Sequence, residues 1–430
     1  MMSALLGFGA LFLLLFWGVP IGFGMGIVGV GGFAMLVGIG PALSMIGQIA
    51  HDNVTNYSYS VLPLFIIMGA LFAHSRMADD LFNASQAMIG HFNGGLSIAT
   101  IVACGGFSAV SGSSLACAAT MTKVSMPIMK RYNYDEGFAA GTIAAGSTLD
   151  ILIPPSITMV VYCILTDTDL GKLMMAGFLP GLLTIGCYIA VISVITRLYP
   201  QMGPPAPRST WGERFRSLRR VWAMTLIFTV ALGGIYLGVF TPTEAAGVGA
   251  TGALVLAAAL GRLKLRPTIR IFAESARTTS TIFVVLIGAL LFANFITASG
   301  ASAAIASWVQ SLGLSQTGLI LMLLAIYIVL GCVLDAGAMS VLTVPIFFPL
   351  VTAAGIDPIW FGIFVVIVVG IGLIHPPLGL LLFVVKSLVP GLNTRKIFVG
   401  VLPFLVADAV RMGLLIAFPG IVLLLPSMMK

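Results

Sequence analysis

Two long apolar segments of this chain are each interrupted by a pair of consecutive prolines. The first interruption reads Ile153-Pro154-Pro155-Ser156, and the second reads His375-Pro376-Pro377. Proline lacks the backbone N–H and breaks a helix. Broken backbone inside a bilayer persists only where protein covers it or where it lines a wet cavity. Each interruption is therefore expected to face another part of the chain at an internal site.

The interruptions belong to an internal repeat with an offset of 222 residues (376 minus 154). The same offset relates four pairs of residues: Pro20 and Pro242, Pro127 and Pro349, Asp135 and Asp357, and Pro154 and Pro376. The chain is predicted to consist of two related halves, 1–200 and 221–430, joined by a linker at 201–220. Paired interrupted segments in corresponding positions are typical of secondary transporters, whose sites lie between the halves.

Composition places the chain in a membrane. Of its 430 residues, 59% are hydrophobic and only 8% are charged, and the mean hydropathy is +1.11. So few charges cannot cover a soluble protein of this size, and the apolar runs are too long for barrel strands. We therefore predict an all-α polytopic protein embedded in the lipid bilayer. The net charge of +7 comes from Lys and Arg near span ends, which indicates orientation rather than nucleic-acid binding.

Each half is predicted to contain a helical hairpin that enters and leaves the bilayer on one side, followed by the broken span. In the first half the hairpin covers 94–126 and the broken span covers 135–166. In the second half the corresponding segments are 315–353 and 358–385. Serine and glycine near the middle of the first hairpin favour two folded-back arms over one tilted span, because a re-entrant turn needs small residues and local polar partners.

The other apolar segments are predicted to be ordinary spans or helices along the membrane surface. A surface segment at 262–277 is expected before a span at 280–298, and the last span is expected over 397–427. Placing the arginine-rich linker in the cytoplasm brings most Lys and Arg residues to cytoplasmic ends, as the positive-inside rule requires. Both termini are then periplasmic, and the two halves are inverted relative to each other.

The polar cluster of Ser111, Gly112, Ser113 and Ser114 is a candidate cation site. Serine hydroxyls and the carbonyls freed at a hairpin tip are oxygen ligands, which hard cations prefer. Alternatively, each hydroxyl bonds back to a carbonyl of its own helix. Asp335 lies opposite Ser113 in the repeat, and a carboxylate at that depth is costly without a partner. It is interpreted as a ligand of a second cation or, alternatively, as a helix cap.

Five further polar residues have open or local roles. His375 can supply a backbone turn, contact substrate or accept a proton. Asp150 lies one turn before the first proline pair and either lines the cavity or braces the break. Asp408 and Arg411, spaced i,i+3, are predicted to form a local ion pair. Glu244 is predicted to cap the start of a helix.

Several motifs together resemble the large membrane subunit of TRAP (tripartite ATP-independent periplasmic) transporters. They are GGFSAVSGSSLA from Gly105, the first proline break, TPTEAA at 241–246, VLDAGA at 333–338, GIDPIWFG at 355–362 and HPPLG at 375–379. The resemblance implies an elevator-type, Na⁺-coupled importer of organic acids in the bacterial inner membrane. It also implies two partners, a small four-helix membrane subunit and a periplasmic substrate-binding protein. Because this chain starts directly at its own first span, a separate small subunit is expected.

The resemblance also implies where two sodium ions and the substrate bind. The first sodium site is expected at Ser111, Gly112, Ser113, Ser114, Ile153, Pro154 and Ser156. The second is expected at Asp335, Ala336, Gly337, Gly372 and His375. The substrate is expected to be a sialic acid, a dicarboxylate or a sugar acid, held by Ser114, Pro155, Ser156, Asp335, Pro377 and Leu378. The segment VVIVVGIGLIHPP before the second break carries valines where many members have Asn or Glu, and His375 where Thr is common.

Three other functions are open at this stage. One is a stand-alone ion-coupled anion carrier of the same architecture, a second is an ion channel, and a third is an intramembrane hydrolase using Asp335 or His375. A channel has no need of two hairpins closing on one site, and a hydrolase needs a second catalytic group at matched depth. The sequence contains no HExxH, Walker A or G-x-S-x-G motif. It is therefore not predicted to be an enzyme, and coupling is expected to come from an ion gradient or from another subunit.

The predicted orientation can be tested with single cysteines at Ser209, in the linker, and at Ser427, near the C-terminus. A membrane-impermeant thiol reagent should label Ser427→Cys from the periplasmic side and Ser209→Cys from the cytoplasmic side, because the positive-inside rule places the linker in the cytoplasm. Labelling of Ser427→Cys from the cytoplasmic side alone would show that the inverted threading is wrong.

Overall fold

The computed structural model describes residues 2–75, 77–262, 265–331, 334 and 336–429, apart from the side chains of residues 306 and 310. Regular structure in this part of the chain consists of 22 α-helices and two short 3-10 turns. Apolar sequence in a bilayer must satisfy its backbone hydrogen bonds internally, which helices do within a single segment. The prediction of an all-α fold is confirmed.

The first half contains eleven helices. In chain order they are α1 (Met2–Phe16), α2 (Ile21–Val37), α3 (Ile39–Thr55), α4 (Val61–His74), α5 (Met77–Ile89), α6 (Gly95–Ser111), α7 (Ser114–Arg131), α8 (Glu136–Ser147), α9 (Leu149–Leu152), α10 (Ile157–Thr166) and α11 (Leu170–Leu198). The predicted first hairpin is formed by α6 and α7, and the predicted broken span is formed by α8, α9 and α10. Both hairpin arms reach the Gly112 turn predicted from the sequence.

The linker and the second half contain the other eleven. They are α12 (Trp211–Leu218), α13 (Trp222–Tyr236), α14 (Pro242–Ala259), α15 (Leu265–Ala298), α16 (Ala301–Ser311), α17 (Gln316–Gly331), α18 (Ala336–Ala353), α19 (Pro358–Ile374), α20 (Leu380–Leu388), α21 (Thr394–Ala417) and α22 (Gly420–Met428). The second hairpin is formed by α17 and α18, and the second broken span by α19 and α20.

Two helix starts show how local sequence sets the boundaries. Thr241 and Glu244 form a reciprocal capping box at the start of α14, as predicted for Glu244. Thr210 and Glu213 form the same arrangement at the start of α12 in the linker. There, hydrogen bonds from the Thr210 backbone and side chain hold the pKa of Glu213 below its usual range. Arg214 of α12 stacks over the Trp211 ring at 4.8 Å, so the linker is an ordered amphipathic helix.

The helix lengths agree with a multi-pass membrane protein. Among the described residues, six helices are long and apolar enough to cross a bilayer, or seven if the bent pair of α12 and α13 counts as one span. The first arms of the two hairpins, α6 and α17, have only 17 and 16 residues. A straight crossing needs about 20 residues, so each of these arms is shorter than a typical full crossing.

The structure differs from the sequence-based expectation in two places. The surface segment 262–277 and the span 280–298 were expected to be separate, but α15 runs through both without a break. The hydroxyls of Thr278, Ser280 and Thr281 bond back to carbonyls four residues earlier, which continues the helix through a polar stretch. The predicted last span at 397–427 is divided, because α21 ends before Phe418-Pro419 and α22 follows. Residues before proline disfavour helical geometry.

Helices of the two halves pack in reciprocal pairs. α2 of the first half packs against α15 of the second half, and α4 packs against α14. The 222-residue offset places α2 opposite α14 in the repeat, and α4 opposite the later part of α15. In the same way α7 packs against α20, and α10 packs against α18. Reciprocal contacts are what a two-fold relation between the halves produces. The inversion of the halves across the bilayer stays a prediction.

The contact between α2 and α15 depends on glycine. A β-carbon at Gly29 would lie 2.6 Å from the backbone of Leu291 and Phe292, whereas one at Gly31 would meet nothing within 4 Å. Small residues let helix backbones approach closely in a membrane. The two glycines lie on one helix, two residues apart, and only one of them is at the contact.

We expect Gly29→Ala to destabilise the protein by about 1–3 kcal/mol, the usual cost of overpacking a close contact. Gly31→Ala is the matched control, and it should leave stability unchanged or raise it by up to about 1 kcal/mol through helix propensity. Thermal unfolding of the purified proteins in detergent measures both. Equal melting temperatures for the two variants would contradict the close packing of α2 on α15.

Candidate functional site

The first hairpin turns at the predicted polar cluster. α6 ends at Ser111, and Gly112 adopts the left-handed conformation with φ of 62°. Ser113 is extended, and its Oγ accepts a hydrogen bond from the Ala116 backbone N–H at 3.3 Å, which caps α7. Glycine reverses the chain here because residues with a β-carbon are strained at positive φ. Ser114 is the first residue of α7 and is buried.

The Ser111 hydroxyl reaches across to the broken span instead of bonding back to its own helix. Its Oγ donates to Oδ1 of Asp150 at 2.8 Å and accepts from the Ser113 backbone N–H at 3.2 Å. Asp150 lies on α9, the single turn before the first proline pair, and its side chain is buried. The hairpin tip is therefore held to the broken span through a carboxylate.

The first break directly adjoins the tip. Residues 153–156 separate α9 from α10, with a cis peptide bond between Pro154 and Pro155. A β-carbon at Gly112 would lie 3.4 Å from the carbonyl oxygen of Pro155. The buried Oγ of Ser156 has no hydrogen-bond partner among the described residues. The structure thus brings the predicted tip and break residues of the first site together.

The helices that lead to the second tip and to the second break also meet, and Asp335 lies outside the described residues. Gly331 at the end of α17 packs on Gly372 of α19, where a β-carbon on Gly331 would lie 2.8 Å from the Gly372 Cα. Ala336 and Gly337 begin α18. His375 directly follows the last residue of α19, and its Nδ1 lies 2.6 Å from the carbonyl oxygen of Pro376. The described members of the predicted second site therefore lie on segments that contact each other.

Pockets for small organic ligands have volumes of about 300–1,000 Å³. A cavity of about 360 Å³ lies where α10 of the first half and α18 of the second half begin. Its walls include Ile157 and Thr158 at the start of α10 and Gly337 and Ala338 at the start of α18. Side chains of α2 and α15 close the remaining side. The predicted substrate residue Ser156 immediately precedes α10.

The other predicted substrate residues lie at a second junction. Pro377 and Leu378 are exposed in the loop that leads into α20, and Ser114 begins α7. α20 packs against α7, as α10 packs against α18. Pro377 and Leu378 do not line the 360 Å³ cavity. The structure therefore distributes the predicted substrate residues over two reciprocal junctions instead of one.

The predicted ion pair of Asp408 and Arg411 is present, and it belongs to a larger buried network. Arg411 Nη2 lies 2.9 Å from Asp408 Oδ1, with both side chains buried. Tyr188 of α11 donates to the same Oδ1 at 2.8 Å, and Arg411 donates to Thr184 at 2.8 Å. The Tyr188 hydroxyl also lies 3.4 Å from that of Thr148, next to α9. The sequence contained no periodicity that would have paired α11 with α21.

Comparison with known proteins identifies the family. Residues 8–421 match the family described as "Tripartite ATP-independent periplasmic transporter, DctM component". The chain belongs to this family, the large membrane subunits of TRAP transporters, and the resemblance found in the sequence is confirmed. It is a multi-pass protein of the bacterial inner membrane and a component of a secondary transporter.

Individual relatives agree with this assignment. The chain is 37% identical to the C4-dicarboxylate TRAP transporter large permease protein DctM of Pseudomonas aeruginosa, over 87% of this chain and 88% of that one. It is 30% identical to the sialic acid TRAP transporter large permease protein SiaM of Vibrio cholerae, over 96% of each chain. These relatives are permeases, which agrees with the prediction of a transporter rather than an enzyme.

A solved structure shows the same fold at low sequence identity. The YdaH transporter of Alcanivorax borkumensis superposes with a TM-score of 0.67, over 88% of this chain and 89% of that one, at 14% identity. Two chains that differ this much in sequence share only their architecture. The comparison therefore supports the helical transporter fold.

The buried network makes a stability prediction. Asp408→Ala should cost about 3–5 kcal/mol, because it leaves Arg411 as an unpaired buried charge. Tyr188→Phe removes one hydrogen bond to a charged group and should cost about 1.5–3 kcal/mol. Ser193→Ala on α11, whose hydroxyl bonds only within its own helix, is the control. If thermal unfolding in detergent gave Asp408→Ala and the control the same midpoint, the ion pair would have no structural role.

Proposed function

We propose that this chain is the membrane-embedded large subunit of a Na⁺-coupled importer of an organic acid anion. A periplasmic binding protein would deliver the anion, and a separate four-helix membrane subunit would pack beside this chain. The observation that carries the proposal is the meeting of half-helix N-termini from both halves around one cavity, with a serine-rich hairpin tip against a backbone break. This arrangement is typical of secondary transporters that bind anion and cation near the bilayer midplane.

An anionic substrate suits the geometry of the cavity. The starts of α10 and α18 line the cavity, so each presents the positive end of its helix dipole there. The relatives named above transport C4-dicarboxylates and sialic acid, as their names state, and both substrates carry carboxylates. We therefore assign a carboxylate to the cavity lined by the starts of α10 and α18.

The donor set at the first tip suits Na⁺. The residues around it offer serine hydroxyls and backbone carbonyls, and the buried Ser156 Oγ is without a hydrogen-bond partner among the described residues. The described part of the chain contains no group of three or more His, Cys, Asp or Glu side chains that would hold a transition metal. Hard oxygen donors bind Na⁺ as a transported ion, with a second ion proposed at Asp335, Ala336, Gly337, Gly372 and His375.

In the proposed mechanism, the two hairpins and two broken spans move as one unit against the early spans of each half. Gly69 of α4 lies directly against the Ser111 carbonyl at the tip, with no side chain between them. A smooth contact of this kind lets one element slide past another. The early spans, at about 1–75 and 221–298, carry exposed apolar side chains such as Phe16 and Met35. The small subunit is proposed to pack against this surface.

Uptake by proteoliposomes tests the proposed function. The chain, reconstituted with its membrane partner, should accumulate a radiolabelled organic acid only when the cognate binding protein and an inward Na⁺ gradient are both present. A K⁺ gradient of equal size is the control for osmotic and electrical effects. Uptake without either partner would identify a stand-alone carrier instead, and flux that never exceeds equilibrium would identify a channel.

Asp335 provides a sharper arm of the same experiment. Asp335→Asn keeps the size of the side chain and removes its charge. If Asp335 is a cation ligand, the variant should need on the order of tenfold more Na⁺ for half-maximal uptake, or should not transport at all. Ser113→Ala should impair the other sodium site, and the double variant should lose Na⁺ dependence or all activity. If the Na⁺ dependence of uptake is unchanged in Asp335→Asn, Asp335 acts only as a hairpin cap.

A further inference from the structure

Asp150 is a buried carboxylate at the point where the first hairpin meets the first break. Its side chain is 1% exposed, and it lies on the single turn of α9 between Thr148 and the proline pair. α9 is enclosed by α6, α7, α11 and the opposite broken span α19. Ile151 and Thr148 touch the face of α19 at Gly370. The carboxylate is therefore shielded from lipid and from bulk water on all of these sides.

Only one of the two carboxylate oxygens is satisfied. Oδ1 accepts the Ser111 hydroxyl at 2.8 Å, whereas the buried Oδ2 has no hydrogen-bond partner within the described ranges. None of the ion pairs in those ranges involves Asp150. A buried carboxylate with one hydrogen bond and no positive partner costs several kcal/mol. A cation beside Oδ2 would offset that cost.

Asp408, another buried carboxylate, shows how a buried negative charge is balanced within the protein. Asp408 has Arg411 at 2.9 Å and the Tyr188 hydroxyl at 2.8 Å. The charge of Asp408 is thus balanced within the protein. Asp150 has the same burial without the arginine, so its charge is left for a ligand to balance.

The repeat shows that the break does not require an acidic residue. The 222-residue offset places Gly372 opposite Asp150, one turn before the second proline pair. Gly372 packs on Gly331, and the second break forms there without a carboxylate. Bracing alone therefore does not explain Asp150, because an equivalent break is built around glycine. The acidic side chain of Asp150 gives the first break a negative charge that Gly372 does not give the second break.

We propose that Asp150 is a charged, specificity-determining ligand of the cation bound at the first hairpin tip. The inference rests on the proposed sodium coupling and extends its ligand set beyond serine hydroxyls and backbone carbonyls. Oδ2 of Asp150 and Oγ of Ser156, the two unpartnered buried oxygens on either side of the break, supply the protein oxygens facing the ion. Ser111 positions the carboxylate through its hydrogen bond to Oδ1.

A carboxylate ligand makes the first site neutral when a monovalent cation is bound. The hairpin tip carries no charged residue of its own between Gly105 and Met121. Without Asp150 the bound cation would leave a net positive charge inside the apolar protein, which is unfavourable. With Asp150 alone the site is negative, and only the loaded site is electrically balanced. Asp150 therefore favours movement of the hairpin unit with its cation over movement without it.

Direct binding of ²²Na⁺ to the purified complex, measured at equilibrium in detergent, tests this role without depending on transport. Asp150→Asn keeps the shape and the acceptor for Ser111 but removes the charge. It should weaken binding of one sodium ion by on the order of tenfold or more, about 1.4 kcal/mol per factor of ten. Asp150→Gly, which copies Gly372, should do the same if the asparagine variant fails to fold.

Asp135→Asn is the matched control, since Asp135 caps α8 on the same broken span and asparagine caps helices equally well. It should bind Na⁺ like the wild type. If the wild type binds Na⁺ and the Asp150 variants show an unchanged isotherm, Asp150 only braces the tip, and the proposed transport function still stands. If the wild type itself neither binds Na⁺ nor needs it for uptake, the sodium coupling and the role of Asp150 are both wrong.

Discussion

The contact between hairpin tips and helix breaks is the constraint on which the rest of this structure depends. A bilayer offers no water to the backbone groups released at Pro154-Pro155 or at Gly112, so protein must cover them. The fold does this by bringing the first tip onto the first break and by packing α7 on α20 and α10 on α18. The same arrangement leaves helix N-termini and carbonyls directed at a few internal positions. The backbone groups that are hardest to bury thus become the groups available to bind ions and an anion.

The reciprocal helix pairs explain how a chain of two halves forms one site. α2 with α15 and α4 with α14 interlock the early spans through close glycine contacts. The hairpins and broken spans interlock separately, and the carbonyl of Ser111 meets this first group at Gly69. Tight packing within each group, and a contact at Gly69 with no side chain between the groups, suit the proposed elevator movement. A boundary of interdigitated large side chains would resist such sliding, because packed cores deform little.

Much of this architecture could be predicted because it is encoded locally. Proline pairs, glycine at the hairpin tip and threonine capping boxes fix helix ends within a few residues, and the offset of 222 residues related the halves before any contact was known. The errors arose where local signals were weak. Hydroxyls bonding back to their own helix carried α15 through a polar stretch, and Phe418-Pro419 divided the last span. The Tyr188–Asp408 and Ser111–Asp150 bonds join residues 220 and 39 positions apart, a distance over which helical periodicity carries no information.

Asp150 and Asp408 illustrate how buried charge can be divided between architecture and function. Asp408 is balanced by Arg411, and its hydrogen bond from Tyr188 fixes α21 against α11. Asp150 has no such partner among the described residues, and in the proposal a bound cation balances its charge. In the proposed mechanism this difference couples ion binding to movement of the hairpin. Burying the tip without its cation would also bury an unpaired carboxylate, which is unfavourable. A glycine at this position, as in the second half, would hold the same break but would impose no such penalty on the empty transporter.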